Sequence, residues 1–429
     1  MISIKKISHT LSGNLLEFAA GFGITTFVTL NYTTEAAGKW MWIMAIAAIQ
    51  AKIREGITQT ALVKFACNGA LHQQFSHRKL NFLVTLTIEI SVFILLHIIS
   101  YWQKGVFLEW YIAYGIYSLS TAIFRWQMFL WQGTLQTQDY LKAQSLAVSL
   151  TLFSTFLCYY YQFDLIALTF AIGFSKFIAL LPFINYSEKV KVLKAKVSHT
   201  HIESIRPYAG FGLLRETTGS VAARAEMLLG GLLLTFSEVA WVGLAARYIQ
   251  LLLLPNGAIQ SLVNAKAHEL AVIDKPNMKK LLGSALVGLW LIFGFGIVFF
   301  MFTSPYWIAQ IHGEQYREAL PIITILLIHT ALFAPIGGVF GTLAHALNQP
   351  ILTAKVVMVS SLARISLTVA AMWFWGLWGG IFVPFLVEIW GIYYTNKLMK
   401  SYLQTSWIEI LRLGLEQREL LKLKFQKIR

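Results

Sequence analysis

Long apolar stretches follow one another along almost the whole chain, with short polar segments between them. Twelve stretches contain about 20 mostly apolar residues, which is the length an α-helix needs to cross the hydrocarbon core of a bilayer. They lie near residues 11–31, 40–63, 80–101, 110–132, 143–161, 165–184, 207–235, 239–265, 281–303, 319–343, 356–374 and 377–396. The pattern predicts an all-α polytopic membrane protein with about 12 transmembrane helices.

The longest polar connection, residues 187–206, divides these spans into two sets of six. The two halves also begin alike, since LLE at 15–17 with Gly21 matches LLR at 213–215 with Gly219, and TEAA at 34–37 matches SEVA at 237–240. Two halves of six spans that start on the same side are parallel repeats. We therefore expect two six-helix lobes around a central cavity, with the N-terminal lobe and its cytoplasmic loop at 1–198, the C-terminal lobe at 199–400 and a tail at 401–429.

Composition excludes the main water-soluble classes. The chain is 57% apolar and 13% charged, whereas a soluble domain carries about 25% charged residues. So few charges do not cover a water-facing surface, which excludes a soluble enzyme and a disordered chain. The two cysteines, Cys67 and Cys158, are too few for a disulfide scaffold.

The net charge of +15 follows the predicted topology. With both termini in the cytoplasm, the only lysines and arginines in outside loops are Lys39, Lys104 and Arg317, as the positive-inside rule requires. The excess cations therefore indicate an anionic membrane surface and not nucleic acid. In the basic tail, an apolar stripe with Ile408 and Leu415 predicts an amphipathic helix on the inner leaflet.

Ionisable residues inside the spans are the candidates for function, because a charge in the bilayer is costly unless it faces a cavity or a partner. Most of them lie in the first two spans of each half. An excess of fixed cations suits an anionic ligand such as phosphate or pyrophosphate. The candidates for anion contact are Lys52, Arg54, Arg215 and Arg247. The candidates for proton or cation coupling are Glu17, Glu55, Glu216 and Glu226.

Structural explanations compete with these assignments. If the structural explanation holds, Lys52 and Glu55, which are three positions apart on a helix, neutralise each other. Arg215 and Glu216 are adjacent and do not face each other, so each is expected to need an outside partner. Arg125 and Lys176 are expected to snorkel, with their charged ends reaching the membrane interface. Glu89, Arg364 and Glu388 are expected to form structural pairs within the helix bundle.

Several segments resemble the polysaccharide flippases of the multidrug/oligosaccharidyl-lipid/polysaccharide exporter (MOP) superfamily. They are FSEVAWVGLAARY at 236–248, IHGEQYREALP at 311–321, LNQP at 347–350 and WGLWGG at 375–380. With the twelve-span plan, the resemblance covers nearly the whole chain. The chain departs from the family pattern in the turn NYTTE at 31–35, which lacks the usual Gly-Pro, and at Arg364, where members more often carry Asn.

The resemblance implies a non-enzymatic transporter of the bacterial inner membrane. Members of this kind move undecaprenyl-pyrophosphate-linked oligosaccharide units between leaflets for O-antigen, lipopolysaccharide or capsule assembly. A cationic lumen receives the pyrophosphate, no cofactor is needed, and a proton or sodium gradient is the expected driving force. The expected partners are the lipid-linked oligosaccharide, the bilayer and a glycan polymerase of the same pathway.

Three alternatives fit parts of the pattern. A multidrug or small-molecule antiporter on the same fold predicts an acidic cavity, because its common substrates are cations. A lipid II flippase typically has fourteen spans, and this chain lacks residues for two more. A membrane glycan polymerase usually carries a long outside loop, whereas the longest one here, near residues 303–318, offers few ionisable residues.

Overall fold

The structure, a computed structural model, describes residues 4–62, 65, 71–103, 106–134, 136–183 and 186–426. These residues form helices, and no β-strand occurs among them. The chain divides into two compact units. Unit 1 is Met1–Asn31 with Ile43–Ser220, and unit 2 is Tyr32–Trp42 with Val221–Arg429. The division into lobes at residue 198 stays a prediction.

Unit 1 contains the helices of the first half of the chain. They are α1 (Ile4–Asn31), α2 (Thr34–Ala61, of which residues 34–42 belong to unit 2), α3 (Leu71–Gln103), α4 (Val106–Gly133), α5 (Thr137–Tyr160), α6 (Leu165–Leu180), α7 (Tyr186–Lys194) and α8 (His199–Ala222, of which residues 221–222 belong to unit 2). Helix α4 contacts α3 and α6, and α1 contacts α5. Phe124, Met128 and Trp131 of α4 pack with Tyr140 of α5 in one apolar core. Cys67 and Lys104, named in the sequence analysis, lie outside the described residues.

Unit 2 contains the remaining helices. They are α9 (Ala225–Leu233), α10 (Phe236–Ile273), α11 (Lys275–His312), α12 (Ala319–Ala346), α13 (Pro350–Leu398) and α14 (Trp407–Gln426). Met278 and Leu282 of α11 and Leu343 of α12 lie in the core of this unit, together with Trp407 and Ile410 of α14. The long helices α10, α11 and α12 all contact one another, so they form the framework of the unit.

Among the described residues, every predicted span falls on helix, and one span, the seventh, is divided in a way that the prediction lacks. Eight of the described helices are long and apolar enough to cross a membrane. The seventh predicted span is not continuous, because a turn at residues 223–224 separates α8 from α9. The eleventh and twelfth spans, predicted at 356–374 and 377–396, lie in α13 and are separated at Gly376, between the two predicted ends.

Helix α13 reverses direction at Gly376. A straight helix of 49 residues is about 70 Å long at about 1.5 Å per residue, more than twice the thickness of a hydrocarbon core. Gly376 has φ 59° and ψ −148°, a conformation that residues with a side chain rarely adopt. Ala363 and Ala371 before it pack with Val383 and Val387 after it, so the two segments form an antiparallel hairpin.

The repeated segments 34–37 and 237–240 begin equivalent helices. The Thr33 hydroxyl accepts a hydrogen bond from the backbone of Ala36 in α2, and Thr235 and Glu238 form a capping box at the start of α10. Within unit 2 the two starts lie side by side, since the hydroxyls of Thr34 and Ser237 are 3.1 Å apart. Glu238 therefore accepts a hydrogen bond from the backbone N–H of Thr235 at a helix N-terminus, whereas the equivalent Glu35 pairs with Lys39.

The predicted tail helix is present as α14. Trp407 and Ile410 are buried in the core of unit 2, and Leu411 packs against that core. Ile408 is 75% exposed and Leu415 is 52% exposed, so the predicted stripe is divided between a packed and an open face. The position of this open face on a membrane surface stays a prediction.

Candidate functional site

The predicted site residues fall into two groups. Six belong to unit 1 and two belong to unit 2. The six are Glu17 on α1, Lys52, Arg54 and Glu55 on α2, and Arg215 and Glu216 on α8, while Glu226 lies on α9 and Arg247 on α10. Each group is surrounded by other polar side chains. Some of these belong to residues for which the sequence predicted only snorkelling or structural pairing, namely Glu89, Arg125, Lys176, Arg364 and Glu388.

Arg54 lies inside unit 1 as one half of a buried ion pair with Glu89 of α3. The two side chains are 4% and 3% exposed. Gln50 donates to the Glu89 carboxylate at 2.7 Å and Ser118 of α4 donates to it at 2.5 Å, while the Tyr114 hydroxyl donates to Gln50. Buried charges require such pairing, because desolvation costs several kcal/mol per ion. The network ties α2 to α3 and α4.

A second set of charges in unit 1 is partly open to the surroundings. Lys52 donates to Glu55 at 2.6 Å, and Arg125 of α4 donates to Glu17 of α1. Glu55 also interacts electrostatically with Arg125, so the two pairs are connected. Lys52 is 46% exposed and Arg125 is 29% exposed. The i,i+3 neutralisation of Lys52 by Glu55 that the sequence predicts is confirmed.

Lys176 of α6 joins this set through an aromatic ring. Its ammonium lies 5.1 Å from the centroid of the Tyr117 ring and 3.3 Å from the Thr121 hydroxyl, and Tyr117 also interacts with Arg125. The charge cluster of unit 1 is defined here as Glu17, Lys52, Glu55, Arg125 and Lys176. It holds three cations and two anions, which leaves one cation in excess.

The sequence identified Arg125 and Lys176 only as snorkelling cations. Arg125 instead pairs with Glu17, which is 108 positions away in the sequence. Helical periodicity gives the face on which a residue lies, but it does not say which distant helix covers that face. No signal in a single sequence identifies this pair.

Arg215 and Glu216 bond to each other. The Arg215 Nε lies 3.0 Å from Glu216 Oε1, and Nη2 of the same guanidinium lies 2.5 Å from it. The expectation that each needs a separate outside partner is therefore wrong, because the long Arg side chain folds back to its neighbour. Both remain partly exposed, at 42% and 28%. Glu216 also lies against Gly56 of α2 within unit 1.

The charge cluster of unit 2 is defined here as Glu226, His329, Arg364 and Glu388. Arg364 donates to Glu226 Oε1 from Nε at 3.2 Å and from Nη2 at 2.7 Å. Glu388 and His329 also interact electrostatically with Arg364. His329 Nε2 is buried without a hydrogen-bond partner among the described residues. With two carboxylates and one guanidinium, this cluster is acidic when its imidazole is neutral.

Arg247 of α10 donates to Gln250 one turn later, at 3.1 Å. Among the described residues, no group of three or more His, Cys, Asp or Glu side chains is placed to hold a metal ion. The charged groups that the structure brings together are partly exposed cations in unit 1 and paired carboxylates in both units.

Comparison with known proteins bears on the fold. No protein-family profile matches the sequence, and no curated protein matches it. Among solved structures, the chain is similar to the lipid II flippase MurJ in an inward closed conformation, with TM-score 0.68 and 16% identity over 99% of this chain and 93% of that one.

A multidrug resistance MATE family transporter of the MOP superfamily is also similar in two conformations. In the inward-facing one the TM-score is 0.65 with 16% identity, over 92% of this chain and 96% of that one. In the outward-facing one it is 0.60 with 14% identity, over 92% and 94%. The chain therefore has the all-helical fold of MOP-superfamily transporters, which confirms the predicted fold class.

Proposed function

We propose that this protein is a flippase that moves undecaprenyl-pyrophosphate-linked oligosaccharide units across the bacterial inner membrane by alternating access, for cell-surface polysaccharide assembly. The observation that carries the proposal is the partly exposed charge cluster of unit 1, with its excess cation, in a fold like that of a lipid II flippase. A glycan polymerase of the same pathway is the expected consumer of the translocated unit.

In this proposal the exposed cations contact the pyrophosphate. Lys52 and Arg215 are each more than 40% exposed, so a phosphate oxygen reaches them without breaking a buried network. Arg247 is the third contact in this proposal. The guanidinium groups of Arg215 and Arg247 offer paired N–H donors to phosphate oxygens, and the ammonium of Lys52 acts as a point charge. Arg54 serves the site indirectly, by holding α2 against α3 through Glu89.

The carboxylates that pair with these cations are the proposed groups for coupling to an ion gradient. In the structure, each of the four bonds to a cationic side chain: Glu17, Glu55, Glu216 and Glu226. A pyrophosphate that takes over Lys52 or Arg215 frees a carboxylate, which then binds a proton or a sodium ion. Such an exchange lets the ligand favour one conformation over the other, which is what alternating access needs.

The test combines gene deletion with charge reversal. Deletion is expected to leave complete lipid-linked units on the cytoplasmic leaflet, and wild-type protein restores surface glycan. K52E and R215E are expected to abolish the glycan while the protein remains in the membrane, and K142E, at an exposed lysine of α5, is the matched control. Normal glycan in both site variants contradicts the anion contacts, and accumulation of translocated but unpolymerised units contradicts the flippase.

A second candidate is a multidrug or small-molecule antiporter, which the charge cluster of unit 2 favours. Two carboxylates around Arg364 suit a cationic substrate or a coupling ion better than a phosphate. This function predicts that E226Q and E388Q abolish export of a cationic dye from whole cells and leave surface glycan intact. Dye export that is unchanged after gene deletion contradicts it.

A further inference from the structure

A basic cavity opens between α3, α7 and the start of α8, and none of its lining residues belongs to a charge cluster. Its volume is about 910 Å³, within the range of about 300–1,000 Å³ that is usual for ligand pockets. All of its lining residues belong to unit 1. The lining includes three lysines, two histidines and several hydroxyl groups, and the described lining residues include no carboxylate.

The wall formed by α7 is fixed in place by contacts that do not use the lining lysines. Arg78 of α3 donates to Glu188 of α7. Lys79 donates to the carbonyl oxygens of Leu193 and Ala195 at 2.7 and 3.0 Å, which satisfies acceptors at the C-terminal end of α7. Lys191, Lys194 and Lys196 therefore line the cavity on a segment that other residues hold.

The opposite wall supplies hydrogen-bonding groups. Ser198 just before α8 and Thr200, His201 and Ser204 in its first two turns line the cavity, and the backbone N–H groups of the first turn also favour an anion. His77 of α3 packs edge-to-face on His201, with ring centroids 4.8 Å apart. The Nδ1 atom of His77 is buried without a hydrogen-bond partner among the described residues.

We infer that this cavity binds a phosphorylated ligand, either a free pyrophosphate-type anion or the phosphate group of a membrane lipid. Three ammonium groups without a lining carboxylate favour a multiply charged anion, and the hydroxyl and imidazole groups supply additional donors. The lining lysines lie in the connection 187–206, which the predicted topology puts on the cytoplasmic side, where anionic lipid head groups are also available. This inference does not rest on the flippase proposal, because none of its residues belongs to the charge clusters.

The first arm of the test measures free pyrophosphate. Isothermal titration of the purified full-length protein in detergent is expected to show binding that weakens at high salt. The triple variant K191Q/K194Q/K196Q is expected to lose about tenfold in affinity, since three exposed charge contacts disappear. The control K142Q/K275Q/K355Q removes the same number of exposed lysines elsewhere and is expected to bind as the wild type does.

The second arm measures lipid. Native mass spectrometry of the same three proteins in mixed micelles compares retained phosphatidylglycerol with retained phosphatidylcholine. A loss of phosphatidylglycerol in the cavity variant alone identifies a lipid phosphate as the ligand, and a loss of pyrophosphate binding alone identifies a free anion. The inference is overturned if the cavity variant matches the wild type in both arms, or if the control variant loses as much as the cavity variant. Unchanged thermal unfolding of both variants shows that folding is intact.

Discussion

Arg54 and Lys52 lie two positions apart on α2, yet their environments are opposite. Arg54 points into the protein and bonds to Glu89, whereas Lys52 is 46% exposed and bonds to Glu55. A buried ion pair loses the screening and hydration that an exposed pair keeps, so removal of one partner leaves an uncompensated charge. Position on a helix thus decides whether a cation is structural or accessible.

For this reason R54Q is expected to lower the free energy of unfolding by about 3–5 kcal/mol, and E89Q by a similar amount. K52Q removes the half-exposed lysine of a pair whose carboxylate, Glu55, is buried, and it is expected to cost less than R54Q because the lost cation is partly hydrated. Thermal unfolding in detergent, followed by tryptophan fluorescence, measures all three. The double variant R54L/E89L is expected to recover much of the loss, and equal unfolding temperatures for R54Q and K52Q contradict the structural role of Arg54.

At the residue scale the sequence identifies which groups are unusual but not what they touch. It singles out Lys52, Arg54 and Glu55 because charges are expensive in a span. The partner of Arg54 is 35 positions away and that of Arg125 is 108 positions away. These pairings depend on which helices pack together, which periodicity does not encode. Even the adjacent pair Arg215 and Glu216 was predicted wrongly, because side-chain length outweighs backbone direction there.

Among elements, the approach of α8 to α2 depends on two glycines. A Cβ atom built on Gly212 meets the backbone of Gly56, and a Cβ on Gly56 meets the backbone of Gly212. Small residues of this kind let the backbones of two membrane helices come close. The contact also brings Glu216 next to α2, so it positions part of the candidate site.

G212A is therefore expected to cost about 1–3 kcal/mol, because two backbones must separate to admit a methyl group. Gly210 lies two positions earlier on the same helix, and a Cβ there meets nothing within 4 Å. G210A is expected to be neutral or to stabilise by up to about 1 kcal/mol through helix propensity. Thermal unfolding of the two variants in detergent checks this, and a G210A loss equal to that of G212A contradicts the close approach.

Helix α14 is attached to α11 partly through Glu409, which gives its docking a pH dependence. The hydrogen bond from Lys279, at 2.8 Å, and the lysine charge lower the pKa of Glu409 below its ordinary value. A carboxyl whose pKa is depressed in the folded state stabilises that state above its unfolded pKa, and this contribution is lost as the pH falls through the folded pKa. Acidification below the usual carboxyl range is thus expected to loosen α14.

A spin label at position 415, on the exposed face of α14, measures this in a background without Cys67 and Cys158. The label is expected to become more mobile as the pH falls in the otherwise wild-type protein. With E409Q it is expected to be mobile at every pH. E416Q removes an exposed pair with Arg412 and is expected to keep the wild-type response. A pH response that persists in E409Q contradicts the assignment to Glu409.

The elements themselves were largely predictable, and the reason is physical. A bilayer-spanning helix must contain about 20 apolar residues, so each span leaves a clear signal, and all twelve fall on helices. One interruption was not predictable, because the turn between α8 and α9 at residues 223–224 contains ordinary residues. The reversal at Gly376, by contrast, lies between the eleventh and twelfth predicted spans.

For the whole molecule, the distribution of charge leads to a topology that can be measured. We expect both termini in the cytoplasm, since the outside loops hold so few lysines and arginines. Alkaline phosphatase fused after Arg317 is expected to be active, because that enzyme works only outside the cytoplasm. A fusion after Lys196 is expected to be inactive, while green fluorescent protein there is fluorescent. The reverse activities at either point contradict the orientation.

The hairpin of α13 has a consequence for the order in which the chain folds. The contacts within this hairpin join residues that are close in the sequence, whereas the ion pair between Glu17 and Arg125 joins residues 108 positions apart. Local contacts form quickly because little loop entropy is lost. We therefore expect residues 350–398 to pair with one another before they dock onto the helices made earlier. A side chain at position 376 is expected to slow this pairing, because Gly376 has a backbone conformation that other residues rarely adopt.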